Sequence, residues 1–105
     1  MKNVRSSVRR PAKRSSRATC QKGSLGLGAD LALRLVDLSE TGVRLLLRTE
    51  LGAGQEVEVG ILAQGQGRPV RRLANVVWCV AAEAGYVAGL RFQRALGYAE
   101  YQQLT

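Results

Sequence analysis

From Arg17 onward, apolar residues recur with a period near two, the pattern of half-buried strands rather than of helices. Segment 30–36 sets Leu31, Leu33 and Leu35 against Ala32, Arg34 and Val36. After a turn-like stretch from Asp37 to Gly42, Val43, Leu45 and Leu47 share one face, with Arg44 and Arg48 opposite. Between 55 and 62, Val57, Val59 and Ile61 fall inward while Glu56 and Glu58 fall outward. Residues 65–68, Gly-Gln-Gly-Arg, read as a hairpin connection. The long run 69–80 then places Val70, Ala74, Val76, Trp78 and Val80 on one face. Arg72 interrupts that face, which points to a bulge or an exposed first half. Glu83-Ala84-Gly85 turns the chain, and residues 86–92 alternate again.

At both ends the habit changes. Leu96 or Gly97, Tyr101 and Leu104 recur at helical spacing, which predicts a short amphipathic C-terminal helix. Residues 1–16 hold nothing apolar that recurs except Val4 and Val8, with Pro11 in their middle, and predict an arm disordered in isolation. The chain thus divides into a flexible basic arm, 1–16, and a folded domain, 17–105. Short strands with frequent turns argue for an all-β antiparallel barrel or sandwich. The Gly-rich segment 23–28 is a loop, because it lacks the strand-then-helix setting and Lys-Ser/Thr ending of a phosphate loop.

Charge sharpens this division. The chain of 105 residues carries 16 Lys plus Arg against 8 Asp plus Glu, a formal +8. Half of the basic residues fall among the first 22 positions, Lys2 to Lys22, where there is no acid, and the rest of the chain balances to zero. The part after residue 22 is neutral and the part up to it is basic. A small barrel with a basic arm also describes a sequence-tolerant nucleic-acid binder. Against that stand an aromatic content of 5%, which offers no evident stacking platform, and the barrel's own balanced charge. Nucleic acid is therefore the secondary expectation.

Other classes recede. No apolar run approaches the ~18 residues of a membrane span, and the basic start lacks an apolar signal core, so no membrane insertion and a cytoplasmic location are expected. Cys20 and Cys79 match no zinc spacing and read as reduced thiols. With 0 His, the commonest general base and metal ligand is missing, so neither an enzyme nor a metal site nor a cofactor is expected. Arg68, Arg71 and Arg72 form a second basic cluster near a hairpin, read as a solvated edge or the rim of a binding surface. Trp78 and Phe92 read as core.

Two short patterns carry candidate chemistry. Arg10-Pro-Ala-Lys-Arg14 spaces two guanidinium forks as RxxxR, and such forks fit phosphate oxygens and the O6/N7 edge of guanine. Pro11 stiffens the backbone between them. The same spacing at Arg5 and Arg9 also fits a solvated tail. Asp37-Leu38-Ser39-Glu40-Thr41-Gly42 links two predicted strands as DxSxxG. In an extended segment Asp37 and Ser39 point the same way, so the carboxylate can accept from guanine N1–H and N2–H beside a hydroxyl donor. Gly42 allows φ > 0 or close backbone approach. The same hexapeptide also makes a plain Asx or Ser turn.

Together, RxxxR followed after 22 residues by DxSxxG, then Val76-Val77-Trp78 and Gly89-Leu90-Arg91-Phe92, closely resembles the PilZ domain family from about Arg9 to Leu104. The resemblance implies a six-stranded antiparallel β-barrel with a C-terminal helix, and a ligand, the bacterial second messenger cyclic di-GMP. It also implies roles. Arg10 and Arg14 would hold phosphates and guanine edges, Asp37 and Ser39 would read the guanine, and Gly42 would let the strand approach it. Arg9, just before the first motif arginine, stands where the family varies its ligand number and would suit a stacked ligand pair. The implied function is a cyclic di-GMP receptor or adaptor whose arm orders over the ligand and alters its contact with an effector protein.

Overall fold

A computed structural model describes Arg10 and residues 16–25, 27–63 and 65–105. Its elements are β1 (Arg17–Lys22), β2 (Ala32–Leu38), β3 (Gly42–Leu47), β4 (Glu56–Leu62), β5 (Val70–Ala82), β6 (Gly85–Phe92) and α1 (Tyr98–Leu104). The six strands form one sheet in the order β1-β4-β5-β6-β3-β2, every neighbouring pair antiparallel. The sheet curls into a half-barrel and brings its edge strands β1 and β2 towards each other. At their meeting point Leu31 donates its N–H to Cys20 O at 2.7 Å, and Cys20 N–H reaches Asp30 Oδ1 at 2.9 Å.

The core follows the alternation most closely in β3 and β4. Val43, Leu45 and Leu47 are fully buried, as are Val57, Val59 and Ile61 to within 1%. Burying each such side chain is worth about 1.5–3 kcal/mol, so six of them fix which face of the sheet turns inward. Across the ladders, Val43 lies opposite Leu90 and Val57 opposite Ala74. Cys20 completes the core from β1.

Strict alternation fails in two strands, and in both a bulge is the cause. β2 has register shifts between Ala32 and Arg34 and between Leu35 and Asp37. Leu33 is consequently exposed, whereas Ala32 and Leu38 are buried. The strand also continues through Asp37 and Leu38, so the turn expected over Asp37–Gly42 shrinks to Ser39, Glu40 and Thr41. In β5 the shift falls between Val76 and Trp78. One extra residue there reverses the facing of everything after it. Cys79 packs against the core, while Trp78 and Val80, expected inside, face outward at 38% and 54% exposure. Phe92 is buried as expected.

The C-terminal helix joins the core through its buried residues Tyr101 and Leu104. Leu96, just before its N-cap Gly97, is buried too. Glu100 accepts the Gly97 N–H at 2.8 Å and pairs with Arg72, whose guanidinium also reaches Arg94 O. Arg72 is thus a clamp on the helix, with a side chain 10% exposed, and not part of a solvated edge. Among the described residues no helix is long and apolar enough to cross a membrane.

Candidate functional site

The β2–β3 connection shows what its residue types do. Ser39 donates its N–H to Gly42 O at 2.8 Å, and its Oγ accepts from the Gly42 and Thr41 N–H groups at 3.2 and 3.3 Å. Such a hydroxyl-to-backbone pattern is a Ser turn. With Ser39 1% exposed, its hydroxyl is engaged inside the turn, and it does not share a face with Asp37 because the strand ends at Leu38. Gly42 is needed for a close approach, as expected, but the approaching backbone is that of β6. A Cβ on Gly42 would stand 2.4 Å from Leu90 O. Its φ is not positive.

Asp37 faces outward beside Arg44, its cross-strand partner. The two form a two-pronged ion pair, with Arg44 Nε donating to Asp37 Oδ1 at 2.9 Å and Nη2 to Oδ2. The hydrogen bonds it donates to Asp37 hold the Arg44 guanidinium above its ordinary value; burial opposes them, and the Asp37 charge adds a smaller upward push. A planar fork gripped on one edge is a preorganised cation whose other donors keep a fixed direction.

That pair belongs to a row running across the outer face. Asp37 lies opposite Arg44, Arg44 opposite Gly89, and Gly89 opposite Trp78. The indole covers Gly89 so closely that a Cβ there would meet Trp78 Cε2 and Nε1 at 2.5 Å. The absent side chain is what lets the indole lie flat along the sheet. Beside it opens a shallow cleft of about 200 Å³, lined among others by Thr41, Gly42, Trp78 and Arg91. Ligand pockets that enclose a small molecule usually hold roughly 300–1,000 Å³, so this cleft can seat a ring but needs a second wall to enclose a nucleotide.

Arg10 reaches the same edge. Its N–H donates to Leu38 O and its carbonyl accepts from Leu38 N–H, both at 2.9 Å. The backbone of Arg10 is thereby tied to the residue between Asp37 and Ser39. The Arg10 guanidinium sits 5.6 Å from the centre of the Tyr101 ring on α1, within cation–π range. Arg9 and Arg14 lie outside the described residues.

The structure therefore brings together Arg10, Asp37 and Gly42, and gives Ser39 the task of shaping the turn between them. Sequence reasoning passed over Arg44 and Arg91 and set Trp78 in the core rather than in a base-stacking role. A signal for Arg44 existed, since a tight hairpin that pairs Leu38 with Val43 must pair Asp37 with Arg44. None existed for Trp78, because nothing in Val76-Val77-Trp78 marks the bulge that turns the indole out. A larger cleft, about 430 Å³, opens at the seam between β1 and β2, but none of Arg10, Asp37, Ser39 or Gly42 lines it. Volume alone would choose that cleft; of the motif residues Gly42 lines the smaller one, and Asp37 stands beside it through Arg44 in the row that ends at Trp78. Among the described residues no group of three or more His, Cys, Asp or Glu could hold a metal ion.

Neither the search of curated proteins nor that of solved structures gave a match. A family model described as the PilZ domain matches residues 3–104, nearly the whole chain. With Arg10 bridged to the DxSxxG hairpin of a curled six-stranded sheet, the chain belongs to the PilZ domain family.

Proposed function

We propose that this chain is a cyclic di-GMP receptor that binds its ligand on the outer face of β2, β3, β6 and β5. Membership in the family implies a cyclic di-GMP receptor role, and PilZ domains are ligand-binding receptors and not enzymes. The observation that supports the reading is the paired Arg10–Leu38 bridge, because Leu38 adjoins Asp37 in β2. Asp37 reads guanine N1–H and N2–H, which adenine does not offer. Arg44, held by Asp37, and Arg10 present forks to phosphate or to guanine O6 and N7. Trp78 supplies an indole face at the cleft for a guanine to stack on.

The arm supplies the second wall. Its basic residues, with no acid among the first 22 positions, repel one another until a dianion provides countercharge. Arg14, and Arg9 where a stacked ligand pair binds, then close over the phosphates. Fixing each residue costs roughly 1–2 kcal/mol, so only the few around these arginines become ordered. The Ser39 hydroxyl acts on the ligand indirectly, by shaping the turn. Arg10 turning from Tyr101 to the ligand changes the surface around α1, and that surface is what a cytoplasmic effector protein reads. Competition with excess single-stranded RNA tests the reading. Retained cyclic di-GMP binding supports it, and displacement by any polyanion replaces it with non-specific nucleic-acid binding.

A further inference from the structure

β5 is longer than its partner. Its ladder with β4 ends at the pair Glu56–Asn75, and the last backbone bonds on that side are those of Val76 with Gly54 and Gln55, at 2.7 and 3.0 Å. From Val77 to Ala82 the strand still pairs with β6, in regular register from Trp78–Gly89 to Ala82–Gly85. On its other side no described strand lies alongside and no described residue bonds its backbone. This free edge is apolar. Val77 and Val80 are 55% and 54% exposed, and Ala81 and Ala82 are exposed beside them.

Free strand edges in soluble proteins are ordinarily guarded by charge, proline or bulges, because unpaired N–H and C=O groups invite another strand. The two other edges of this sheet follow the rule. β1 carries Arg17 and Lys22, and β2 carries Arg34, Asp37 and two bulges. The run Val76-Val77-Trp78-Cys79-Val80-Ala81-Ala82 has no charged residue, proline or glycine, and its bulge lies before the regular stretch.

We infer that this half of β5 is a dimerisation edge, pairing antiparallel with the same segment of a second copy of the chain to make one sheet continuous across a two-fold axis. The choice of a second copy rests on charge. A two-fold contact sets a segment against itself, and each chain carries +8. Pairing through β1 would set its Arg17 and Lys22 against those of the copy, whereas the β5 edge meets itself without any charge. About an axis at Val80 the two Val80 side chains adjoin, and each Trp78 faces an Ala82. The edge shares Val77 and Trp78 with the cleft of the proposed site, but its backbone pairing needs no ligand, so association measured without cyclic di-GMP tests it apart from that reading.

Sedimentation equilibrium of the full chain, followed to the solubility limit, tests it. The wild-type mass should rise with concentration towards twice the 11.4 kDa of one chain. Added salt should strengthen the association, since it screens the repulsion between basic chains and leaves backbone pairing intact. Val80→Lys, at an exposed position, should keep the circular dichroism of the fold and weaken association at least tenfold. Val77→Lys serves as the second variant should the first fail to fold. A wild-type chain that stays monomeric throughout, an association that salt dissolves, or a dimer that survives a folded lysine variant overturns the inference. The first result would assign the edge to a different protein, and the second would point to ionic contacts.

Discussion

Arg10 and Leu38 exchange both backbone hydrogen bonds, each at 2.9 Å, so the first motif arginine is anchored to the strand that carries Asp37. The anchor lies in the backbone and leaves the guanidinium to act on Tyr101 or on a ligand. Arg10→Ala should therefore keep the bridge yet weaken cyclic di-GMP binding by about 1–3 kcal/mol, by analogy with bidentate base contacts. Arg10→Lys should fall between, since it keeps charge but loses the fork. Isothermal titration of the three proteins checks the order. Equal affinity for all three would remove Arg10 from the site.

Asp37 and Arg44 act as a unit on the outer face. Alanine at either position should weaken the ligand by about 1–3 kcal/mol, and the double variant should lose less than the sum, because each removal already disorders the other. The cost to folding should stay below about 1 kcal/mol, since the Arg44 side chain is 38% exposed and such pairs are screened by water. Binding and urea titrations of the four proteins measure both. Fully additive losses would show that the two groups act independently.

Trp78 is the chain's one tryptophan, so its fluorescence reports on the outer face without labelling. Gly89→Ala places a methyl 2.5 Å from indole atoms and must push the ring off the sheet. Its emission should move to the red as the ring enters water, and the spectral response to cyclic di-GMP seen in the wild type should diminish with the affinity. An unchanged spectrum and an unchanged dissociation constant would separate Trp78 from binding.

Cys20 gives the fold a pH signature. Burial, and next the charge of Asp30, push its thiol from 9.0 up to about 12. The folded chain therefore holds this proton where the unfolded chain releases it. Above pH 9 the folded state binds more protons, and its stability falls as pH rises towards 12, by at most about 1.4 kcal/mol per pH unit. Below pH 9 the effect vanishes. Urea midpoints of the wild type and Cys20→Ala, compared at pH 8.5 and 10.5, isolate it from other titrating groups. Parallel declines in the two proteins would contradict the assignment.

Much of this architecture is legible in residue pattern alone, and the exceptions have a common physical origin. β3 and β4 read directly because Val43, Leu45 and Leu47, like Val57, Val59 and Ile61, alternate without interruption and are all buried. The RxxxR and DxSxxG spacing located the two segments that meet at Arg10 and Leu38. Bulges leave no such trace. One residue inserted near Val77 turned Trp78 from the expected core to the outer face, and two shifts in β2 exposed Leu33. Residue type likewise does not say which backbone approaches a glycine. Gly42 makes room for Leu90, a neighbour set by strand order and invisible to local sequence. Ser39 fits a turn and a ligand contact equally well as a sequence, and its burial is what distinguishes them.

The central claim is that a guanine dinucleotide is read at Asp37 and clamped by the arm. Calorimetric titration with cyclic di-GMP and cyclic di-AMP, in moderate salt and on the wild type, Asp37→Ala and Arg14→Ala, tests it most directly. The account predicts a clear wild-type preference for the guanine ligand, at least tenfold weaker binding in both variants, and a preference that shrinks in Asp37→Ala. Equal affinity for the two dinucleotides, or wild-type affinity in Arg14→Ala, would contradict it.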